Sequence, residues 1–151
     1  MPVYPLVLAI HLLTMAAWMG GAVHTSADVE RSLNAGGAAV EGLMHRLRRT
    51  AGWMNRAALG TILSGLGLIA LRGVDGVAPR YWVGLLFTLL AVGVGRWQIR
   101  PVVARIASVA QRPTPRPPPD AAALAASFRH ALRSEDLLKL AAFATMVWPF
   151  G

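Results

Sequence analysis

Four stretches of the chain are long apolar runs without two-residue alternation: Val3–Val23, Gly52–Leu71, Tyr81–Gly95 and Leu132–Phe150. Their length and their Leu- and Ala-rich make-up favour helices over strands. A helix crossing about 30 Å of hydrocarbon needs about 20 mostly apolar residues. The first stretch supplies them with no formal charge, and His11 is its one strongly polar interruption. Helices of water-soluble bundles keep a polar stripe; this one has none. Asn55 and Arg56 interrupt the second stretch near its start, while Glu135, Asp136 and Lys139 are confined to the first half of the fourth.

The pattern continues past these runs in amphipathic form. Leu124, Phe128 and Leu132 recur at every fourth position before the fourth run. Val102, Ile106 and Val109 follow Pro101, where a kink is expected. The predicted helices therefore cover about 3–32, 41–71, 81–110 and 121–150, the last opening after Asp120 as N-cap. Asn34-Ala35-Gly36-Gly37 breaks the first connection, and residues 112–120 (RPTPRPPPD) read as a stiff Pro-rich connector. The expected architecture is all-α: a single integral membrane domain over 1–151, with four transmembrane helices and cytoplasmic helix extensions.

Composition agrees. Of 151 residues 55% are hydrophobic and only 15% charged, against about 25% charged in ordinary soluble domains. The absence of cysteine excludes disulfides, thiolate metal sites and cysteine nucleophiles. Lys and Arg number 15 against 7 Asp and Glu, and their placement is uneven. Arg31, Arg46, Arg48, Arg49 and Arg56 fall in the first connection, eight more fall between Arg96 and Lys139, and only Arg72 and Arg80 lie between the second and third runs. Thirteen of the 15 thus share one side, which the positive-inside rule makes the cytoplasm, with both termini opposite. Topology accounts for the basicity, and no aromatic-interleaved basic motif points to nucleic acid. Met1–Tyr4 lacks the basic start of a signal peptide, so the first run reads as a retained helix. The expected setting is a bacterial-type inner membrane, crossed several times, with the lipid bilayer as partner.

Small residues four apart, Ala17 with Gly21 and Gly60 with Ser64, allow close helix approach in lipid, within a monomer or a homodimer alike. His11 carries the sharpest chemical expectation. It sits about 12 Å into the first helix from Val3, where an ionisable group faces the bundle interior or a polar cavity. Two readings stand at this point: a neutral imidazole ligating haem iron or copper, or a ring bonded to a hydroxyl or carbonyl of a neighbouring helix. Met15 and Trp18 share its face as packing residues. Lys139 either snorkels or pairs with Glu135 one turn earlier. Arg56 and Arg96, expected at the level of Glu135 and Asp136, suit an anionic ligand such as a porphyrin propionate. His24, His45 and His130 fall near cytoplasmic helix ends without a ligand spacing, and no HExxH, phosphate-binding glycine loop or nucleophile elbow occurs.

The run LVLAIHLLTMAAWMGG from Leu6 to Gly21 resembles the first helix of a superfamily of small four-helix membrane proteins. That superfamily includes the CopD copper-resistance domain and HemJ-type protoporphyrinogen oxidase. Leu63-Ser64-Gly65-Leu66-Gly67-Leu68 resembles its second-helix region, Trp82 the Trp opening its third helix, and Glu135 with Pro149-Phe150 its fourth-helix boundaries. The HemJ-type resemblance implies a haem-binding bundle using His11 and a third-helix Lys after the Trp. This sequence departs there: Val83, Gly84, Leu85 and Leu86 follow Trp82, and Lys139 lies on another helix. The CopD resemblance implies copper handling, for which six methionines are available without a Met-rich or His-rich motif. The leading expectation is haem b or a porphyrin in a redox role, with His11 as metal ligand. Met146, or His11 of a second protomer, is the candidate second axial ligand. Protoporphyrinogen oxidation with a changed third-helix site, copper handling, and a structural subunit without cofactor are the alternatives.

Overall fold

The computed structural model describes residues 3–21, 24–111 and 116–147. Among these there is no strand. Helices α1 (Val3–Gly20), α2 (Thr25–Ala35), α3 (Ala38–Arg72), α4 (Pro79–Val94), α5 (Arg100–Ala110) and α6 (Ala121–Val147) follow one another, with a 3-10 turn at Val74–Gly76 and a π turn at Gly95–Ile99. The first predicted helix is thus two, α1 and α2, and the others fall within a few residues of their expected bounds. Arg112, the start of the Pro-rich connector, and Pro149-Phe150, with the predicted end of the fourth helix, lie outside the described residues.

Glycine ends the helices where the chain must turn. Gly36 (φ 68°), Gly37 (φ 50°) and Gly73 (φ 78°) adopt the left-handed region that side-chain-bearing residues avoid. Gly36 also lies against the backbone of Arg116, where a Cβ would sit 2.9 Å from the carbonyl. Pro79 opens α4 at the position where a missing N–H costs nothing. Near Pro101, where a kink is expected from the sequence, the structure has a π turn at Gly95–Ile99. Pro101 cannot donate to the preceding turn and its ring crowds the carbonyl of Trp97, so the chain widens into the π turn just before α5.

α1 runs along the C-terminal half of α3, and α4 along α6; α2 and α5 close the other end against α3 and α6. That end has a packed apolar core of Val29, Leu33, Val40, Leu43, Leu47, Ile106, Leu124, Phe128 and Leu132. Both amphipathic stripes predicted from the sequence enter it, with Val102 and Val109 against its edge. Its surface carries ion pairs between Arg46 and Asp28 (2.9 Å), Arg105 and Asp120 (3.3 Å), and Arg129 and Glu30 (2.5 Å). Donating to the Asp28 carboxylate raises the pKa of the Arg46 guanidinium above its ordinary value.

The other end is skinned with hydrocarbon. Among the described residues every exposed large apolar side chain lies within 3–13, 53–97 or 137–147, from Leu6 and Leu13 to Leu86 and Leu140. Three helical stretches, Val3–Ala35, Ala38–Arg72 and Pro79–Ala110, are long and apolar enough to cross a membrane. α3 spans about 29 Å from Trp53 to Arg72 at 1.5 Å per residue, close to the hydrocarbon thickness of about 30 Å. α6 carries too many charges by that measure, although Leu137, Leu140, Phe143 and Val147 are exposed along it.

Candidate functional site

In the apolar-skinned half, α1 approaches α3 over a track of small residues. A Cβ on Gly60 would lie 2.8 Å from Thr14 Cγ2, and one on Gly65 would lie 3.2 Å from His11 Cε1. This closeness lets the buried His11 ring reach the α3 backbone. Its Nδ1 is 3.0 Å from the Thr61 carbonyl oxygen and 3.1 Å from Ser64 Oγ. A carbonyl can only accept, so Nδ1 carries the hydrogen. Ser64 Oγ directs its own proton to the Gly60 carbonyl at 2.5 Å. In the neutral ring Nε2 is therefore the lone-pair nitrogen, and it has no hydrogen-bond partner among the described residues. Thr14 and Thr61 extend the seam, their hydroxyl oxygens 3.2 Å apart, with Thr61 also donating to Ala57.

His11 lines a cavity of about 240 Å³ between α1, α3, α4 and α6. Tyr4, Leu8, His11 and Met15 contribute from α1; Thr61, Gly65, Leu68 and Arg72 from α3; Tyr81, Leu85 and Thr88 from α4; Phe143 and Met146 from α6. Each set recurs at three- and four-residue steps, one face of its helix. Gly84 makes the room for Met146, since a Cβ there would lie 2.7 Å from Met146 Cε. The Thr88 hydroxyl is turned back on the Gly84 carbonyl (2.9 Å). The walls are mostly apolar, with one imidazole and two thioethers along them and Tyr4, Arg72 and Tyr81 at one end.

The expected anion-holding arginines are elsewhere. Arg56 and Arg96 are exposed and neither lines this cavity. Arg56 precedes Thr61 by five residues, about 7.5 Å towards the α2–α5 end, and borders a surface cleft with Arg48, Arg49 and Trp53. Arg96 lies on the π turn. The cation on the His11 cavity is Arg72, expected from the sequence only as a marker of topology. Its signal was the shared face of Thr61, Gly65, Leu68 and Arg72.

About 10 Å further along α1 from His11, Trp18 covers a second polar group. Lys139 Nζ lies 2.9 Å from Glu135 Oε1, 3.3 Å from Asp136 Oδ1 and 5.1 Å from the Trp18 ring centroid. The Lys139 and Glu135 side chains are 2% and 6% exposed, so the lysine pairs instead of snorkelling. Arg56 and Arg96 do not join this layer. His24, His45 and His130 are exposed, and among the described residues no group of three or more His, Asp and Glu side chains is placed to hold a metal ion.

Comparison with protein-family models, with curated proteins and with solved structures finds no match to this chain.

Proposed function

We propose that the chain is a four-span inner-membrane protein, both termini non-cytoplasmic, that holds a metal-centred cofactor at Nε2 of His11. The observation that carries this reading is the Nδ1–H to Thr61 carbonyl bond (3.0 Å) beside an apolar cavity. Metal-binding histidines characteristically donate their second N–H to a carbonyl or carboxylate, which fixes the ring and raises the basicity of the free nitrogen. Met146 reaches the same cavity from α6, in the helix pair opposite α1 and α3. His11 and Met146, from separate helix pairs, are the side chains that would hold a haem b, which would supply one-electron redox chemistry. The protein's part is to orient the imidazole, supply the thioether and exclude water. The resemblance to the HemJ/CopD-like group supports the same reading, but the missing third-helix Lys leaves no residue for that group's oxidase chemistry.

Copper is favoured by a different observation. A cavity of about 240 Å³ is smaller than the roughly 300–1,000 Å³ of sites for drug-sized ligands, and Met15 joins His11 and Met146 in lining it. One imidazole and two thioethers form a soft donor set suited to Cu(I).

The detergent-purified protein, expressed with added haem or added copper, separates the two. Haem predicts a Soret band that is lost or shifted in His11→Ala; copper predicts about one equivalent of metal, lost in the same variant. Neither band nor metal, or binding unchanged in His11→Ala, overturns the proposal. Topology is testable because the chain has no cysteine. Asp75→Cys should react with a membrane-impermeant maleimide in intact cells, and Asn34→Cys only after permeabilisation; the reverse pattern overturns the orientation.

A further inference from the structure

At the end of the cavity away from α2 and α5, the Arg72 guanidinium lies over two tyrosine rings, 5.4 Å from the Tyr4 centroid and 6.0 Å from that of Tyr81. Arg80 also lies over the Tyr81 ring, 5.1 Å from its centroid. Stacking on an aromatic face holds a guanidinium without using its in-plane N–H donors. No carboxylate lies within ion-pair distance of either arginine among the described residues, although Asp75 is in the same connection. The Nε of Arg80 is buried with no hydrogen-bond acceptor. An arginine in the last turn of a helix is ordinary by itself. Arg72 on the cavity wall and Arg80 in the first turn of α4, both at Tyr81, whose hydroxyl accepts from them, and neither with a carboxylate in reach, form a receptor for negative charge. Arg72 and both tyrosines line the cavity, so the charge they receive is continuous with its hydrocarbon walls.

We propose that this mouth binds the oxyanion head of an amphiphile whose apolar body enters the cavity. The volume, about 240 Å³, exceeds the roughly 150 Å³ that accommodates benzene and falls short of drug-sized pockets, which fits one acyl chain or a similarly slender body. The head is held by Arg72 through paired N–H donors, and Arg80 adds a second positive charge beside Tyr81. The inference rests on the cavity being a ligand site, as in the proposed function, and does not require a metal.

Native mass spectrometry of the full chain released from non-ionic detergent tests it, with laurate, methyl laurate, phosphatidylglycerol and phosphatidylcholine as probes. The expected result is one laurate adduct, no methyl laurate adduct, and affinity reduced about tenfold or more in Arg72→Gln, less in Arg80→Gln. Arg72→Lys, which keeps the charge but neither the stacking nor the paired N–H donors, should bind between the parent and Arg72→Gln. A phosphatidylglycerol adduct with the same arginine dependence, without laurate binding, identifies the head as a lipid phosphate. Equal binding of methyl laurate or phosphatidylcholine, or full binding by a folded Arg72→Gln, overturns the proposal. Loss of the Soret band or of copper in the preceding experiment leaves this result standing, so the two readings fail separately.

Discussion

Where α2, α5 and the first halves of α3 and α6 meet, Phe128, Leu33, Leu43 and Ile106 fill the interior and the outside is charged. Where α1, α4 and the second halves of α3 and α6 meet, leucines lie outside. Inside are Ala57, Ala58, Ala91, Ala142 and Trp18, with His11, Thr61, Ser64, Thr88, Glu135 and Lys139. Of the buried polar side chains among the described residues only Ser32 belongs to the first half. The same helices, α3 and α6, pass through both halves and change their pattern between them. In water, burying large apolar groups drives helices together. In lipid that drive is gone, and close backbone approach and interhelical polar bonds take over. The inversion is what a bundle half in water and half in hydrocarbon requires, and it places the imidazole in the half whose interior is not simply filled.

The largest effect should come from the core of the charged-skinned half. Phe128→Ala removes a side chain that is 2% exposed and should cost about 4 kcal/mol, read by denaturant unfolding in micelles. Leu86→Ala, on a side chain 55% exposed in the apolar skin, should change stability by less than about 0.5 kcal/mol. Equal costs would mean that both halves pack in the same way. Next comes the ion pair. Lys139→Met leaves the buried Glu135 without its partner and should cost about 3 kcal/mol; adding Glu135→Gln should restore most of it, because the penalty belongs to the unpaired charge. A double variant as unstable as the single one would show instead that the pair itself holds the helices.

The sequence carried the first half of this comparison better than the second. Leu124, Phe128 and Leu132, with Val102, Ile106 and Val109, repeat at helical spacing and go where that spacing sends them, because water enforces the pattern. The Lys139–Glu135 pair was legible as well, as an oppositely charged pair one turn apart. The burial of that pair was not, since it depends on Trp18 arriving from α1. His11 was legible as a polar group in an apolar run, but its partner Thr61 acts through a backbone carbonyl, which no side-chain pattern advertises. Arg72 escaped notice because an arginine at a helix end looks like an interface anchor. Only the convergence of Tyr4 and Tyr81 from two other helices gives it a cavity to guard.

Glycines sharpen the contrast at intermediate size. Gly60→Leu drives a side chain into Thr14, 2.8 Å from where the Cβ alone would sit, and should cost about 2 kcal/mol by overpacking. Gly52, where the bundle changes character, has nothing within 4 Å of that position. Gly52→Ala should therefore stabilise α3 by about 0.5–1 kcal/mol through helix propensity. Thermal unfolding of the two variants side by side checks the opposite signs; destabilisation of similar size in both would show that helix flexibility, and not contact with α1, is what these glycines provide.

Ser64→Ala should have the smallest effect, about 0.6 kcal/mol, the average for an interhelical polar contact in lipid. The reason lies in the division of labour around Nδ1. Ser64 Oγ directs its proton to the Gly60 carbonyl and offers His11 only a second acceptor at 3.1 Å, whereas the Thr61 carbonyl accepts at 3.0 Å. Removing the hydroxyl leaves that carbonyl in place, and no side-chain substitution on α3 removes it. Nε2 should accordingly remain the lone-pair nitrogen. Haem or copper binding by Ser64→Ala should stay within about threefold of the parent, under 1 kcal/mol, while His11→Ala loses it. Binding lost equally in both variants would transfer the orienting role from the backbone to the serine.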